Sequence, residues 1–184
     1  KIIVCVKQVP DTTEIKINPE TGTLIRDGVP SILNPDDANA LEQALEVKDS
    51  QPDTEVVVVT MGPPQAKEML RECLAMGADD AVLLSDRALG GSDTWATSNA
   101  VAAGIKTVGT FDLIFAGRQA IDGDTAQVGP LIAKHLTIPH AAWVAEVTDV
   151  TDHSITVRQD LVSVSQVSEL PYSCLITIEF LERS

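Results

Sequence analysis

The 184-residue chain predicts a three-layer α/β fold, a mostly parallel, Rossmann-like sheet with helices on both faces and antiparallel strands near the C-terminus. Three observations predict it. Four short, mostly apolar runs at 2–6, 55–60, 81–84 and 111–116 read as core strands. Stretches of helical spacing, with recognisable start and stop residues, separate them. After His140 the strand-like segments lie too close together to leave room for helices.

In order along the chain, Ile2, Ile3, Val4, Cys5 and Val6 form a continuous apolar run, the pattern of a strand covered on both faces. Alternation at 15–18 and 24–26 around Pro19-Glu20-Thr21-Gly22 predicts a hairpin. Asn34, Pro35, Asp36 and Asp37 open a helix, with Asn34 as N-cap and Pro35 at the first helical position. Ala38, Leu41, Ala44, Leu45 and Val47 carry that helix's apolar face. The second strand, 55–60, turns at Met61-Gly62-Pro63-Pro64 into a helix with apolar Ala66, Met69, Leu70, Cys73 and Leu74, stopped by Gly77. Residues 81–84 give the third strand, and a loop at 90–93 caps a helix that runs through Val108. Residues 111–116 give the fourth, ahead of helical spacing from Leu131 to Leu136. Residues 143–147, 154–158, 161–165 and 173–178 read as strands whose short links require antiparallel pairing or an edge extension. From Val162 to Val167, Val alternates with Ser or Gln, giving one apolar face suited to a partner subunit or to the sheet itself.

The length suits a single domain over 1–184. A formal net charge of -14 argues against nucleic acid or an anionic membrane as partner, since both are polyanions. No apolar run is long enough to span a bilayer, so membrane insertion is not expected. The chain opens on Lys1 and runs straight into a strand, so an initiator residue is expected to be missing. Cys5, Cys73 and Cys174 are odd in number and far apart, which disfavours a disulfide framework or zinc site and suits the reducing cytoplasm. His135, His140 and His153 lack metal-ligand spacing and read as surface residues. Trp95 and Trp143 fit either the core or an interface.

The stretch from Ala116 to Pro130 points to a ligand. It follows the fourth strand and leads into a helix, so it lies at the carboxyl edge of the sheet, where open α/β folds bind ligands. Gly117, Gly123 and Gly129 permit close approach of backbone, and a helix N-terminus offers unpaired N–H groups to a phosphate. Arg118 adds a fixed positive charge. Together they indicate a nucleotide. Met61 follows the second strand at the same edge, where it either packs on an adenine or fills core. Lys7 lies at this edge as well and is given no role.

Several separated motifs now bear on a family. Residues 3–12 (Ile-Val-Cys-Val-Lys-Gln-Val-Pro-Asp-Thr) resemble the opening of the β subunit of electron transfer flavoprotein. Leu33-Asn34-Pro35-Asp36-Asp37, Ala75-Met76-Gly77-Ala78-Asp79 and Gly117-Arg118-Gln119-Ala120-Ile121-Asp122 are similar to its later motifs, in the same order over nearly the whole chain. The resemblance implies a nucleotide-binding α/β domain related to the adenine-nucleotide hydrolase-like folds. It also implies an α-subunit partner carrying a redox-active FAD.

That family has two subtypes. One β subunit holds AMP structurally. The other holds a second FAD, accepts hydride from NADH and divides the electron pair between two acceptors. The run from Asp122 to Pro130 looks more like the second, bifurcating subtype. AMP-type members often carry an acid where this chain has Gly123, and glycine leaves space and removes a charge near a pyrophosphate.

By sheet geometry and family motif together, the N–H groups of Asp124, Thr125, Ala126, Gln127 and Val128 would hold phosphates, with the Thr125 hydroxyl as a further donor. Gly117, Arg118 and Gln119 would begin the site, Arg118 lying near phosphate or the flavin ring. Asp122 and Asp124 would cap a turn or the helix with their carboxylates turned away. By resemblance, the Cys5 backbone touches the adenine, and Asn34, Pro35, Asp36 and Asp37 close over adenine or ribose. A plain helix cap is an equal reading of those four, and a buried apolar residue describes the Cys5 side chain.

These features imply a cytoplasmic electron carrier. Its partners would be the α subunit, a ferredoxin or flavodoxin, and an acyl-CoA or other dehydrogenase. A structural AMP site in a non-bifurcating carrier is the first alternative. A stand-alone adenine-nucleotide-binding or hydrolysing protein is the second, although no partnered His or Ser accompanies the two Asp residues. At its end the chain departs from the family. Residues 179–184 do not resemble the docking loop, and the family's C-terminal arm is expected to be absent.

Overall fold

Strand order is what places the site. A computed structural model describes residues 1–10, 16–17, 20, 24–25, 31–84, 94–117 and 128–179. In chain order these form β1 (Ile2–Val6), β2 (Gln8–Pro10), β3 (Lys16–Ile17), β4 (Leu24–Ile25), β5 (Ser31–Leu33), α1 (Pro35–Ser50), β6 (Val56–Met61), α2 (Lys67–Met76), β7 (Asp80–Leu84) and α3 (Thr94–Val108). They continue with β8 (Leu113–Gly117), α4 (Val128–Leu136), β9 (His140–Val150), β10 (Ser154–Asp160), β11 (Ser165–Pro171) and β12 (Cys174–Ile178).

The main sheet has the order β11-β10-β9-β12-β8-β1-β6-β7. Its six members from β9 to β7 run parallel, and β10 and β11 extend it antiparallel. β1 is central. The chain leaves it toward β6 and β7 on one side, then crosses back to place β8 on the other, so the order reverses between β1 and β8.

Alternation within the strands feeds two cores. Val4, Val58, Phe115 and Ile176 point to one face, beneath Leu41 and Ala44 of α1 and Met69 and Cys73 of α2. Ile3, Val57, Ile114 and Leu175 point to the other, beneath Val101 and Ile105 of α3 and Ile132 of α4. Each such aliphatic side chain removed from water contributes roughly 1.5–3 kcal/mol. With both faces covered, the strands need apolar residues at every position, which is why they read as continuous runs.

Several expectations hold locally. β3 and β4 pair as the anticipated hairpin. Gly77 caps α2 with φ +131°, a backbone region that only glycine enters cheaply. Others need correction. Leu74 is exposed, not part of the buried face of α2. Asn34 sits at the N-cap of α1 but makes no side-chain cap bond; its Nδ2 instead donates to Asp37 Oδ2 over 3.3 Å. Residues 161–164 form a turn, closed by the Leu161 N–H to the Val164 carbonyl at 2.8 Å, and the strand follows at Ser165–Pro171. The alternating valines imitate a strand, yet Leu161, Val162, Val164 and Val167 are all exposed and do not pack on the sheet. β12 is no edge strand either. It inserts between β8 and β9, parallel to both, with all five residues buried.

Candidate functional site at the strand-order reversal

The parallel ladder between β1 and β8 ends at the pair Cys5–Ala116. Beyond it, two backbone donors point to a carboxylate. Lys7 N–H donates to Asp37 Oδ2 over 2.8 Å, and Gly117 N–H donates to Asp37 Oδ1 over 3.1 Å. Asn34 Nδ2 adds the third bond. Asp37 comes from the first turn of α1, which the Asn34 N–H to Lys7 carbonyl bond, 2.9 Å, ties to the end of β1. Thus one side chain joins three segments at the carboxyl ends of the two strands that flank the reversal.

Asp37 is the only buried carboxylate among the described residues. Burial pushes its pKa up to about 7; the bonds from Asn34, Lys7 and Gly117 pull the other way, and Asp36 adds a further upward push. Gly117 is required by this contact. A Cβ there would run into the Asp37 carboxylate and would lie 2.7 Å from the Asp36 carbonyl carbon. Further along, Gly129 in α4 packs against Thr177, where a Cβ would come within 2.5 Å of the methyl. The Thr177 hydroxyl accepts the Trp143 N–H over 3.0 Å. That bond holds Trp143 at φ +56°, half-exposed, in a bulge on β9 opposite the end of β12.

The anticipated residues fall out as follows. Cys5, Asn34, Pro35, Asp36, Asp37 and Gly117 come together at the reversal. Cys5 and Met61 face the α3/α4 core, both half-buried. Burial pushes the Cys5 thiol up to about 12, so it stays neutral. Val128 opens α4 and is half-buried. Arg118, Gln119, Asp122, Gly123, Asp124, Thr125, Ala126 and Gln127 lie outside the described residues. Sequence reasoning missed two residues. Thr60, buried at the carboxyl end of β6, has a hydroxyl with no hydrogen-bond partner among the described residues. Thr177 was the other; a hydroxyl inside each apolar strand run was the available signal. A cleft of about 390 Å³ lies at the opposite, amino edge, lined by Lys1, Gln51, Asp112 and Tyr172, away from the strand ends where such folds bind ligands.

The chain is therefore an open, Rossmann-like α/β domain with a polar junction at its strand-order reversal. A family model described as the electron transfer flavoprotein domain matches residues 21–179. The chain is 62% identical, over 177 residues, to the caffeyl-CoA reductase-Etf complex subunit CarD of Acetobacterium woodii. It is 57% identical over 176 residues to an electron transfer flavoprotein subunit beta of Clostridium acetobutylicum. With the acryloyl-CoA reductase electron transfer subunit gamma of Anaerotignum propionicum it shares 51% over 180 residues. Each match covers 96% of this chain and about two thirds of the relative, 67%, 67% and 66%. The chain belongs to the electron transfer flavoprotein family, as a β subunit. Among the described residues no helix is long and apolar enough to cross a membrane.

Proposed function

We propose that this β subunit holds FAD at the reversal between β1 and β8 and serves a cytoplasmic, NADH-oxidising, electron-bifurcating complex with an α subunit. The observation that carries the site is the junction at Asp37 and Gly117, at the place in an open α/β sheet where ligands bind.

The residues fit an adenine nucleotide. Gly117 brings bare backbone to the edge, and a side chain there would have no room. Among the described residues, the one buried carboxylate nearby is turned onto protein donors and so is not presented to a phosphate. The Thr60 hydroxyl, without a hydrogen-bond partner among the described residues, stands at the same edge. In sequence, Arg118 and the amides from Asp124 to Val128 follow directly, and Gly123 favours FAD over AMP there.

A flavin held here would supply the redox chemistry that links NADH to the α-subunit FAD and to a low-potential ferredoxin or flavodoxin. This chain's residues bind and orient it. The relatives named for caffeyl-CoA and acryloyl-CoA reductases support an acyl-CoA-type dehydrogenase as the further partner.

The test is to extract and weigh the cofactors of the purified αβ complex, then assay NADH oxidation with ferredoxin. Two FAD per heterodimer and NADH-dependent ferredoxin reduction are expected. One FAD and one AMP would overturn the bifurcating reading in favour of a simple carrier. ATP turnover by the isolated chain would overturn both.

A further inference from the structure

We propose that Asp37 is a positioning residue for the nucleotide: its carboxylate holds the ends of β1 and β8 apart at the reversal and acts on the ligand through Gly117 without touching it. The inference rests on the nucleotide reading of the site given above.

The geometry carries it. Where the β1–β8 ladder stops, the next donor on each side goes to an oxygen of this one carboxylate, Lys7 N–H to Oδ2 and Gly117 N–H to Oδ1. The carboxylate thus stands where a further rung of backbone bonds would otherwise draw the strands together. It also fixes the point at which the chain leaves β8 toward Arg118. A buried carboxylate is costly unless hydrogen-bonded, so a fold that keeps one with three donors spends stability on that arrangement. Contact with a phosphate is disfavoured by charge.

The ionised form accepts from both strands, whereas a protonated oxygen gives up acceptor capacity. The expected pH profile therefore follows Asp37. The other titratable groups around it among the described residues are Asp36 on α1, Cys5 and Lys7 at β1, and Cys73 on α2. Burial pushes the two thiols up to about 12 and about 11, so both stay neutral.

The experiment uses the αβ complex stripped of its β-site nucleotide and rebinds FAD, or AMP if the wild type proves to hold AMP. Wild type, Asp37→Asn and Asp79→Ala are compared from about pH 6 to about pH 8. Asp79 bonds Lys48 and Val56 at the amino edge of the sheet, so its loss destabilises away from the site. Wild-type affinity is expected to rise with pH through about 7. Asp37→Asn is expected to bind about tenfold more weakly above that point, with a flattened profile. Asp79→Ala is expected to lose thermal stability yet bind within about twofold of wild type.

Asp37→Asn with wild-type affinity overturns the proposal, as does equal loss in Asp79→Ala. A wild-type profile that is flat or falls with pH also overturns it, because a carboxylate acting on phosphates by charge alone gives the falling sign. That wild-type measurement stands even if Asp37→Asn does not assemble. A wild-type complex with no adenine nucleotide in the β subunit overturns the functional reading itself, and this proposal with it.

Discussion

Gly117 donates its backbone N–H to Asp37 Oδ1 over 3.1 Å although eighty positions separate the two residues. The bond closes the sheet's reversal, and it joins the end of one core strand to the first turn of the helix packed over β8 and β1. It also ties stability to pH. The Asp37 carboxyl releases its proton near 3.8 in the unfolded chain and near 7 when buried. Between those values the folded state binds the extra proton, so this group's contribution makes stability fall as pH rises, then level off above about 7. Denaturant midpoints measured across this window are expected to lose that slope in Asp37→Asn.

Gly117→Ala places a methyl against the Asp37 carboxylate and the Asp36 backbone. Overpacking of this kind costs roughly 1–3 kcal/mol, since backbone cannot step aside as a flexible side chain can. Urea unfolding of Gly117→Ala, Asp37→Ser and the double variant should give a coupling above about 0.5 kcal/mol, with the smaller residue at 37 relieving the clash.

Asp79 works with the opposite sign. Its Oδ1 accepts from Lys48 Nζ at 2.5 Å and its Oδ2 from the Val56 N–H at 2.8 Å, and these bonds, Lys48 first, hold its pKa below the ordinary value. The stability it contributes is present above the unfolded pKa and is lost as pH falls through the folded one. The Lys48 pair is partly exposed and adds little, so Asp79→Ala should cost about 1 kcal/mol, mainly through the Val56 amide. Thermal melts at neutral and acidic pH would show the difference closing in acid.

Trp143 carries φ +56°, which costs an L-residue roughly 1–2 kcal/mol. Half of its surface remains in water, so truncation loses less than it would in a core. Trp143→Gly is therefore expected to be more stable than Trp143→Ala by about 1 kcal/mol, the reverse of the usual order in a strand. Paired chemical denaturation curves check this.

The valines of the β10–β11 turn and of β11 should prove energetically quiet in the isolated chain. Val162→Ser and Val167→Ser are expected to stay within about 0.5 kcal/mol of wild type, because both side chains are exposed. Val157→Ser, fully buried one strand away, should cost several times more by the same measurement.

Much of the framework could be read from neighbouring residues. Four core strands, the hairpin of β3 and β4, the Gly77 stop and the family motifs all express periods, turn chemistry or short signatures. Those depend on residues close together in the chain. The candidate site was legible only as a location, the carboxyl edge beside Gly117, because a strand followed by glycine and a helix specifies that edge. The role of Asp37 was not. Asn34-Pro35-Asp36-Asp37 satisfies every local rule for a helix start, and nothing nearby indicates that one of the two acids turns inward.

The amino-acid order alone thus settled the class of sheet and most of its strands and helices, since alternation and capping act over a few residues. Three-dimensional packing chose the rest: β12 between β8 and β9, the exposure of the 161–164 turn, and the carboxylate shared by Lys7 and Gly117. Those outcomes depend on which distant surfaces leave water together, and on which donors are then stranded without a partner.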